Sequence, residues 1–359
     1  MKIGILTFHW ATNYGAVLQC FALQEYLRKK GHEVKVINYK PRQYEETLYK
    51  FLKSRKFLHL SEYITSYKQE KALKIFRHSY LHLTERIYTC QEVSNIARSF
   101  DLIISGSDQV TNPSFLMNGE GVGVITPTYF LGFPFNGKRI GYALSFGCVN
   151  YPEHARKVAT KYIHGFNAIS VRENTGVDIV KSMGRDDALV VPDPTLLMNS
   201  EFYYRLADTC TNTSNSPYIY SFFIRHITER KVIINRLFQD IEVLWNNDDG
   251  DFSMRRWLLK IKQANLVLTD SFHCVVMCLK LHKPFIVITE ENGNVGMNDR
   301  LYTLLGELDL EKCIVYKCDL NLFKITHNIS YHWDHIDEGM ARIKQIGVNY
   351  LDSIQISNK

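Results

Sequence analysis

The chain has 359 residues, with 45% apolar and 22% charged side chains and a formal net charge of +6. That composition belongs to a folded protein of about two domains and excludes intrinsic disorder. The sequence has no uninterrupted apolar run long enough to span a membrane, and the apolar run after Lys2 is too short for a signal peptide, so a cytoplasmic protein is expected.

The first forty residues read as strand, turn, helix, strand. Lys2 to Phe8 is a short apolar run, and Asn13-Tyr14-Gly15 is turn chemistry. Leu18, Phe21, Ala22 and Tyr26 then fall at helical spacing, and Gly31 stops that helix before a strand from Glu33 to Tyr39. A βαβ opening favours a parallel sheet. The alternation continues with strands at Asp101–Ser105, Arg139–Ser145, Ile169–Val171 and Ala188–Val191, and a helix from about Glu173 to Met183. The polar stretch between Asn199 and Pro217, ending in Thr211-Asn212-Thr213-Ser214-Asn215-Ser216, is the expected linker.

A second series follows, with strands expected at Tyr218–Ile224, Ile241–Trp245, Leu266–Thr269 and Pro284–Ile288 and helices at Asp299–Leu308 and Asp334–Tyr350. The expected architecture is α/β: two Rossmann-like, doubly wound domains facing a cleft, 1–198 and 199–359, the second ending in a terminal helix. In such sheets ligands bind outside the carboxyl ends of the strands.

Charge is unevenly spread. The stretch from Lys50 to His78 holds eight Lys or Arg residues and two acids, so it carries the whole net excess of +6. A nucleic-acid binder spreads basic residues over a groove; here one segment, a basic helical insertion at about 45–82, holds them all, and no nucleic-acid partner is expected. Phe51, Leu52, Phe57, Leu58, Tyr63, Ile64, Tyr67 and Phe76 are interleaved with its cations. Such a helix either packs its apolar side on the first domain or lies against anionic lipid. The eight cysteines lack zinc spacing and are expected to be buried thiols.

Three strand ends carry chemistry. Thr269-Asp270-Ser271-Phe272-His273 sets a hydroxyl, an imidazole and helix N-terminal amides at one junction, suited to anion binding and proton transfer; alternatively Asp270 or Ser271 caps the helix and His273 packs inside. Ser105-Gly106-Ser107-Asp108-Gln109 offers a tight turn with flanking hydroxyls, without the Gly-Lys-Ser/Thr of a phosphate-binding loop. Ser170-Val171-Arg172-Glu173 ends a strand with a guanidinium that can clamp a carboxylate or phosphate, or form a surface ion pair. Weaker signals are Asn13-Tyr14-Gly15 with Gln19, the rigid turn Val191-Pro192-Asp193-Pro194, and Asn298-Asp299-Arg300, where Asn298 is a candidate cap and Arg300 a candidate anion contact.

Taken in order, Asn-Tyr-Gly-Ala-x-Leu-Gln at 13–19, Gly-Ser-Asp-Gln at 106–109, Ser-Val-Arg-Glu at 170–173, Pro-Asp-Pro-Thr at 192–195 and Thr-Asp-Ser-Phe-His at 269–273 resemble the polysaccharide pyruvyl transferase family. The resemblance implies a GT-B-like fold and transfer of pyruvyl from phosphoenolpyruvate to a sugar of a surface polysaccharide or its lipid-linked precursor, releasing phosphate. It further implies His273 as acid/base, Asp108 as acceptor-side base or hydrogen-bond partner, and Arg172 with Arg300 on the donor. Ser271, Asp270, Asn298, Asn13, Tyr14, Gly15, Ser105, Gly106, Ser107 and Gln109 would line the substrates. Phosphoenolpyruvate is then a substrate, and neither cofactor nor metal is called for. Two departures stand out: Thr111-Asn112-Pro113 where members often carry Trp-Asn-Pro, and Ser271 where some carry Arg. A nucleotide-sugar glycosyltransferase and a non-catalytic glycan-binding protein are the alternatives, because fold alone does not fix function.

Overall fold

The computed structural model describes residues 1–45, 60–116, 127–208, 216–246, 248–290, 295–316 and 329–354. The chain forms two units, Met1–Leu197 with Lys344–Lys359, and Met198–Ile343. The end of the terminal helix is thus grouped with the first unit, whereas the sequence reading kept it with the second.

The first unit is built on a six-stranded parallel sheet of order β2-β1-β3-β4-β5-β6. Its strands are β1 (Lys2–Leu6), β2 (Glu33–Val36), β3 (Leu102–Ser105), β4 (Lys138–Leu144), β5 (Ala168–Val171) and β6 (Leu189–Val190). The central strands β1 and β3 read as continuous apolar runs because helices cover both faces of such a sheet, and every residue of β3 is buried. Strand β2 lies at the edge and alternates, with Glu33 and Lys35 outward. Helix α1 (Tyr14–Lys29) starts where the Asn13 side chain accepts from the Gly15 and Ala16 amides, and it ends at basic residues ahead of Gly31, whose φ is +86°.

Helix α2 (Leu60–Tyr80) covers the described half of the basic stretch, while its other half, with Lys50, Lys53, Arg55 and Lys56, lies outside the described residues. Leu73 and Phe76 are buried, and Phe76 meets the edge of Phe21 on α1 at 5.5 Å between centroids. Further helices include α3 (Cys90–Ala97), α4 (Glu153–Ile163) and α5 (Asn174–Ser182). Leu6, Ile103, Leu144, Phe146 and Val171 belong to one buried core.

The second unit opens with α6 (Ser200–Ala207), capped by Asn199, whose side chain accepts from the Phe202 amide. The first part of the expected linker is therefore helical; its Asn, Ser and Glu are N-terminal capping chemistry. Residues 209–215 of that linker lie outside the described residues. The parallel sheet has order β11-β10-β9-β7-β8, from β7 (Tyr218–Phe222), β8 (Glu242–Trp245), β9 (Leu266–Thr269), β10 (Phe285–Thr289) and β11 (Ile314–Tyr316). Around it lie α7 (Ile227–Leu237), α8 (Met254–Gln263), α9 (Phe272–Lys280), α10 (Val295–Gly306) and α11 (Trp333–Ser353), the last shared between the units. All nine residues of α9 are buried, in keeping with the apolar run from Cys274 to Leu279. The described cysteines, among them the buried Cys20, Cys274, Cys278 and Cys313, are thiols.

Candidate active site

Each sheet has one place where strand order reverses, between β1 and β3 in the first unit and between β7 and β9 in the second. Ligands of open α/β sheets bind at the carboxyl side of such a point. Both strong sequence motifs stand there.

In the second unit Asp270 follows β9 directly. Its carboxylate accepts from the Ile224 amide at 2.7 Å and the Arg225 amide at 3.2 Å, and pairs with Arg230 at 2.6 Å. Asp270 therefore fastens the loop after β7 to the end of β9, with Arg230 over the Phe223 ring at 4.7 Å. Ser271 is the N-cap of α9: its hydroxyl accepts from the Cys274 amide at 3.4 Å. His273 is the second residue of that helix and buried, its ring 5.3 Å from Phe272, edge to face. The Arg300 guanidinium lies over the other partner of this group, the same Phe272 ring, at 5.5 Å. A helix N-terminus, an imidazole and a guanidinium thus share one aromatic neighbour. Asn298 does not cap α10, which already begins at Val295; it sits inside the helix and donates to Thr289 Oγ1 at the end of β10, at 2.7 Å.

In the first unit Thr7, just past β1, donates to the Ser107 carbonyl at 2.9 Å and accepts from Gln19 Nε2 at 2.9 Å, which ties the 105–109 loop to α1. The loop needs Gly106: its φ is +112°, and a Cβ there would stand 2.2 Å from the Tyr142 carbonyl oxygen. Ser105 donates to the Tyr129 carbonyl, Ser107 to Asp193 at 3.0 Å, and Gln109 accepts from Asn112. Asp108 takes the left-handed conformation at φ +72°, which Asp tolerates better than most residues. Asn13 serves as the α1 cap, and Tyr14 and Gly15 are buried in its first turn.

Arg172 is neither a surface ion pair nor an open clamp. Its guanidinium, 1% exposed, donates to Asp193 at 2.8 Å and stands 3.5 Å from Asp108 and 4.0 Å from Glu173. Burial works against its charge, but the Asp193, Asp108 and Glu173 carboxylates outweigh burial and hold its pKa above the ordinary value. Glu173 in turn accepts from Ser145 Oγ and the Phe146 amide, and Asp193 from the Thr195 amide and hydroxyl. Of the three carboxylates around Arg172, Asp108 alone reaches solvent, its side chain 16% exposed against 0% and 1% for the others.

The sequence reading gives Arg225 and Arg230 no role, takes Asp193 as part of a rigid turn, and sees Glu173 only as a candidate ion-pair neighbour of Arg172. The Pro-flanked Asp193 two residues before a threonine was a visible signal, since that spacing makes a carboxylate close on a following amide. Among the described residues no group of three or more His, Cys, Asp or Glu is arranged to hold a metal ion, and no helix is long and apolar enough to cross a membrane.

The fold has solved relatives at low identity. The Anabaena protein HepE in complex with UDP-glucose is 10% identical with a TM-score of 0.55, over 98% of this chain and 100% of that one. The S. aureus MnaA–UDP structure is 10% identical with a TM-score of 0.54, over 99% and 96%. A putative UDP-N-acetylglucosamine 2-epimerase from Listeria monocytogenes is 10% identical with a TM-score of 0.53, over 100% and 97%. These likenesses show the fold, GT-B-like and built of two Rossmann-like units, as the sequence implied. No curated protein matches the chain. The model of one family, described as polysaccharide pyruvyl transferase, matches residues 13–292, a span that takes in all five motifs; the chain belongs to the polysaccharide pyruvyl transferase family.

Proposed function

We propose that the protein transfers the pyruvyl group of phosphoenolpyruvate to two hydroxyls of a sugar in a surface polysaccharide or its lipid-linked precursor, forming a ketal and releasing phosphate. The observation that carries this reading is the grouping of His273 and Arg300 on Phe272 at the start of α9, in a chain that the family model matches over 13–292. A small trianionic donor calls for a guanidinium and helix N-terminal amides, and its methylene carbon calls for an acid.

In this reading the second unit holds the donor. Arg300 and the α9 amides bind its anionic groups, and His273 delivers a proton to the methylene carbon, leaving an oxocarbenium-like centre next to it. A sugar hydroxyl adds to that centre as its proton passes to a base. Phosphate then departs with the C–O electron pair, and a second hydroxyl closes the ring and gives up its proton. Asp108 is the acceptor-side base, and Arg172, held by Asp193, orients it. The low exposure of Arg172 suits positioning better than direct donor contact, so the donor clamp falls to Arg300. Protonation, addition and elimination need acids, bases and anion-binding groups and no electron carrier. The protein would work in the cytoplasm, with α2 against anionic lipid when the acceptor is lipid-linked.

The test is to mix the protein with phosphoenolpyruvate and candidate acceptors, and to follow phosphate release and acceptor mass. Phosphate together with a ketal-modified acceptor supports the transferase. The second reading, a nucleotide-sugar enzyme, is favoured by the nucleotide-bound relatives of the same fold; release of nucleotide from a nucleotide sugar, with phosphoenolpyruvate untouched, would replace our proposal with it.

A further inference from the structure

The first unit has a cavity of about 320 Å³ one strand away from the strand-order reversal, outside the carboxyl ends of β1 and β2. Its wall includes Trp10, which follows β1, Lys40, which follows β2, Lys74 and Arg77 of α2, and Arg86. Two carboxylates, Glu45 and Glu70, also line it, and each is already engaged. Glu70 pairs with Arg77 and accepts from Thr12 Oγ1 at 2.7 Å; Glu45 pairs with Arg86 and stands 3.6 Å from Lys40. Four permanent cations against two carboxylates leave the lining with a surplus of two positive charges.

Both arginines are held by carboxylates, Arg77 by Glu70 within α2 and Arg86 by Glu45, while Lys40 shares Glu45 with Arg86 and Lys74 is exposed on α2. Lys40 is half-buried, and burial holds its pKa below the ordinary value even with Glu45 close by. A buried ammonium in cationic company gains most from an incoming anion, since a second charge of opposite sign restores what desolvation removed. The cavity also has an apolar side. The Trp10 indole, fixed by its N–H to the Tyr129 hydroxyl at 3.0 Å, lies 5.5 Å from the Lys40 ammonium. A ring beside clustered cations fits a ligand with one apolar or sugar-like face and one anionic end.

We propose that this cavity is a binding site for a small phosphate ester, with the phosphate on Lys40, Lys74 and Arg86 and the organic part, a sugar ring, against Trp10. None of its lining residues is among those assigned to the transfer reaction, and the proposal does not rest on that reaction, because binding alone reads it out.

The experiment is isothermal titration calorimetry of the full-length protein with three probes: N-acetylglucosamine 1-phosphate, inorganic phosphate and N-acetylglucosamine. The sugar phosphate is expected to bind more tightly than inorganic phosphate, and the neutral sugar not at all. Added salt should weaken binding, as it does for charged ligands at partly open sites. Lys40→Gln should weaken the sugar phosphate by about tenfold, the size of one lost charge-assisted contact. Lys74→Gln, on the exposed side of α2, should weaken it without changing the unfolding midpoint, so a failure of the Lys40 variant to fold leaves the test intact. Heat from neither anion, or unchanged affinity in Lys74→Gln, overturns the site. Equal affinity for inorganic phosphate and the sugar phosphate overturns the role of Trp10. None of these outcomes depends on whether phosphoenolpyruvate is turned over.

Discussion

The Arg172 guanidinium donates to the Asp193 carboxylate at 2.8 Å with both side chains withdrawn from solvent. The two residues lie 21 apart in sequence, one past β5 and the other past β6, and the same carboxylate oxygen also accepts from Ser107 in the loop after β3. One buried carboxylate thus links the segments that follow β3, β5 and β6. Removing one partner of such a pair leaves a desolvated charge, which costs about 3–5 kcal/mol. Asp193→Ala is therefore expected to lower stability by that order, and Arg172→Ala by less than the sum when combined with it. Denaturant unfolding of the two single variants and the double variant checks this; additive losses would mean that the pair is not a unit.

His273→Ala is expected to reduce turnover about 10²–10⁴-fold, the usual contribution of a positioned acid or base. Phosphoenolpyruvate binding should survive, because Arg300 and the α9 amides remain. Arg300→Ala should show the reverse pattern, with weak donor binding and poor recovery in Arg300→Lys, since lysine lacks the planar fork that stacks on Phe272. Donor binding by calorimetry, set beside turnover, separates the two. Near-normal turnover in His273→Ala would remove the proton-transfer role.

Gly106→Ala tests whether the loop that carries Asp108 is built as tightly as its geometry says. A methyl group would collide with the Tyr142 carbonyl in a backbone region that alanine avoids. The expected loss exceeds about 2 kcal/mol, read from the unfolding midpoint. A neutral substitution would show that the loop can shift away from β4.

Much of this was legible in the sequence, and the parts that were not share a cause. Strand β9 was read to the residue, and Ser271 and His273 were placed at its junction, because apolar run, cap and helix follow one another locally. What Arg172 and Asp270 do was hidden, because their partners Asp193 and Arg230 are 21 and 40 residues away and only the sheet brings them close. The sequence reading makes Asp270 a substrate contact, yet its oxygens accept from two amides of the loop after β7 and from Arg230 on α7. Strand β11 has three residues, too few to show an apolar period, and it exists by pairing with β10. Helix α6 was hidden by a polar beginning that reads as loop until Tyr203 and Leu206 are seen buried on one side.

His9 gives the fold a pH dependence. Its ring nitrogens lie 3.1 Å from the Thr7 carbonyl and 3.1 Å from Asn38 Oδ1, and burial, aided by Arg77 and Arg86, pushes its pKa down to about 4 in spite of those hydrogen bonds. An unfolded histidine titrates near 6.5. Between these values the unfolded chain binds one proton that the folded chain refuses, so stability is full above about pH 6.5 and falls as pH drops toward 4. The loss from this one group is about 3 kcal/mol across the window. Unfolding free energies of the wild type and His9→Gln, measured across this range, should converge on acidification by about that amount. A constant difference would mean that His9 takes up its proton inside the fold.

The outer face of α2 carries the last prediction. Ile64, Tyr67 and Ile75 are 43%, 61% and 61% exposed, and they share helical spacing with the exposed Lys68 and Lys71. The opposite face is committed: Leu73 and Phe76 are buried, and Arg77 is buried in its pair with Glu70. Both ideas from sequence therefore find a side of the same helix, one packed and one outward. An outward face of lysines among a tyrosine and two isoleucines matches an anionic bilayer surface, where each cation contributes about 1 kcal/mol and the apolar side chains enter the headgroup boundary. Binding should be strong to vesicles containing phosphatidylserine, weak to phosphatidylcholine vesicles, and reduced by salt. The informative variants are Lys68→Glu with Lys71→Glu, and separately Ile75→Ser; Arg77 is unsuitable because its loss would disturb the fold. Each should lower co-sedimentation with phosphatidylserine vesicles while leaving the unfolding midpoint unchanged. Equal partitioning of wild type and both variants would leave α2 with its packing role against α1 and nothing more.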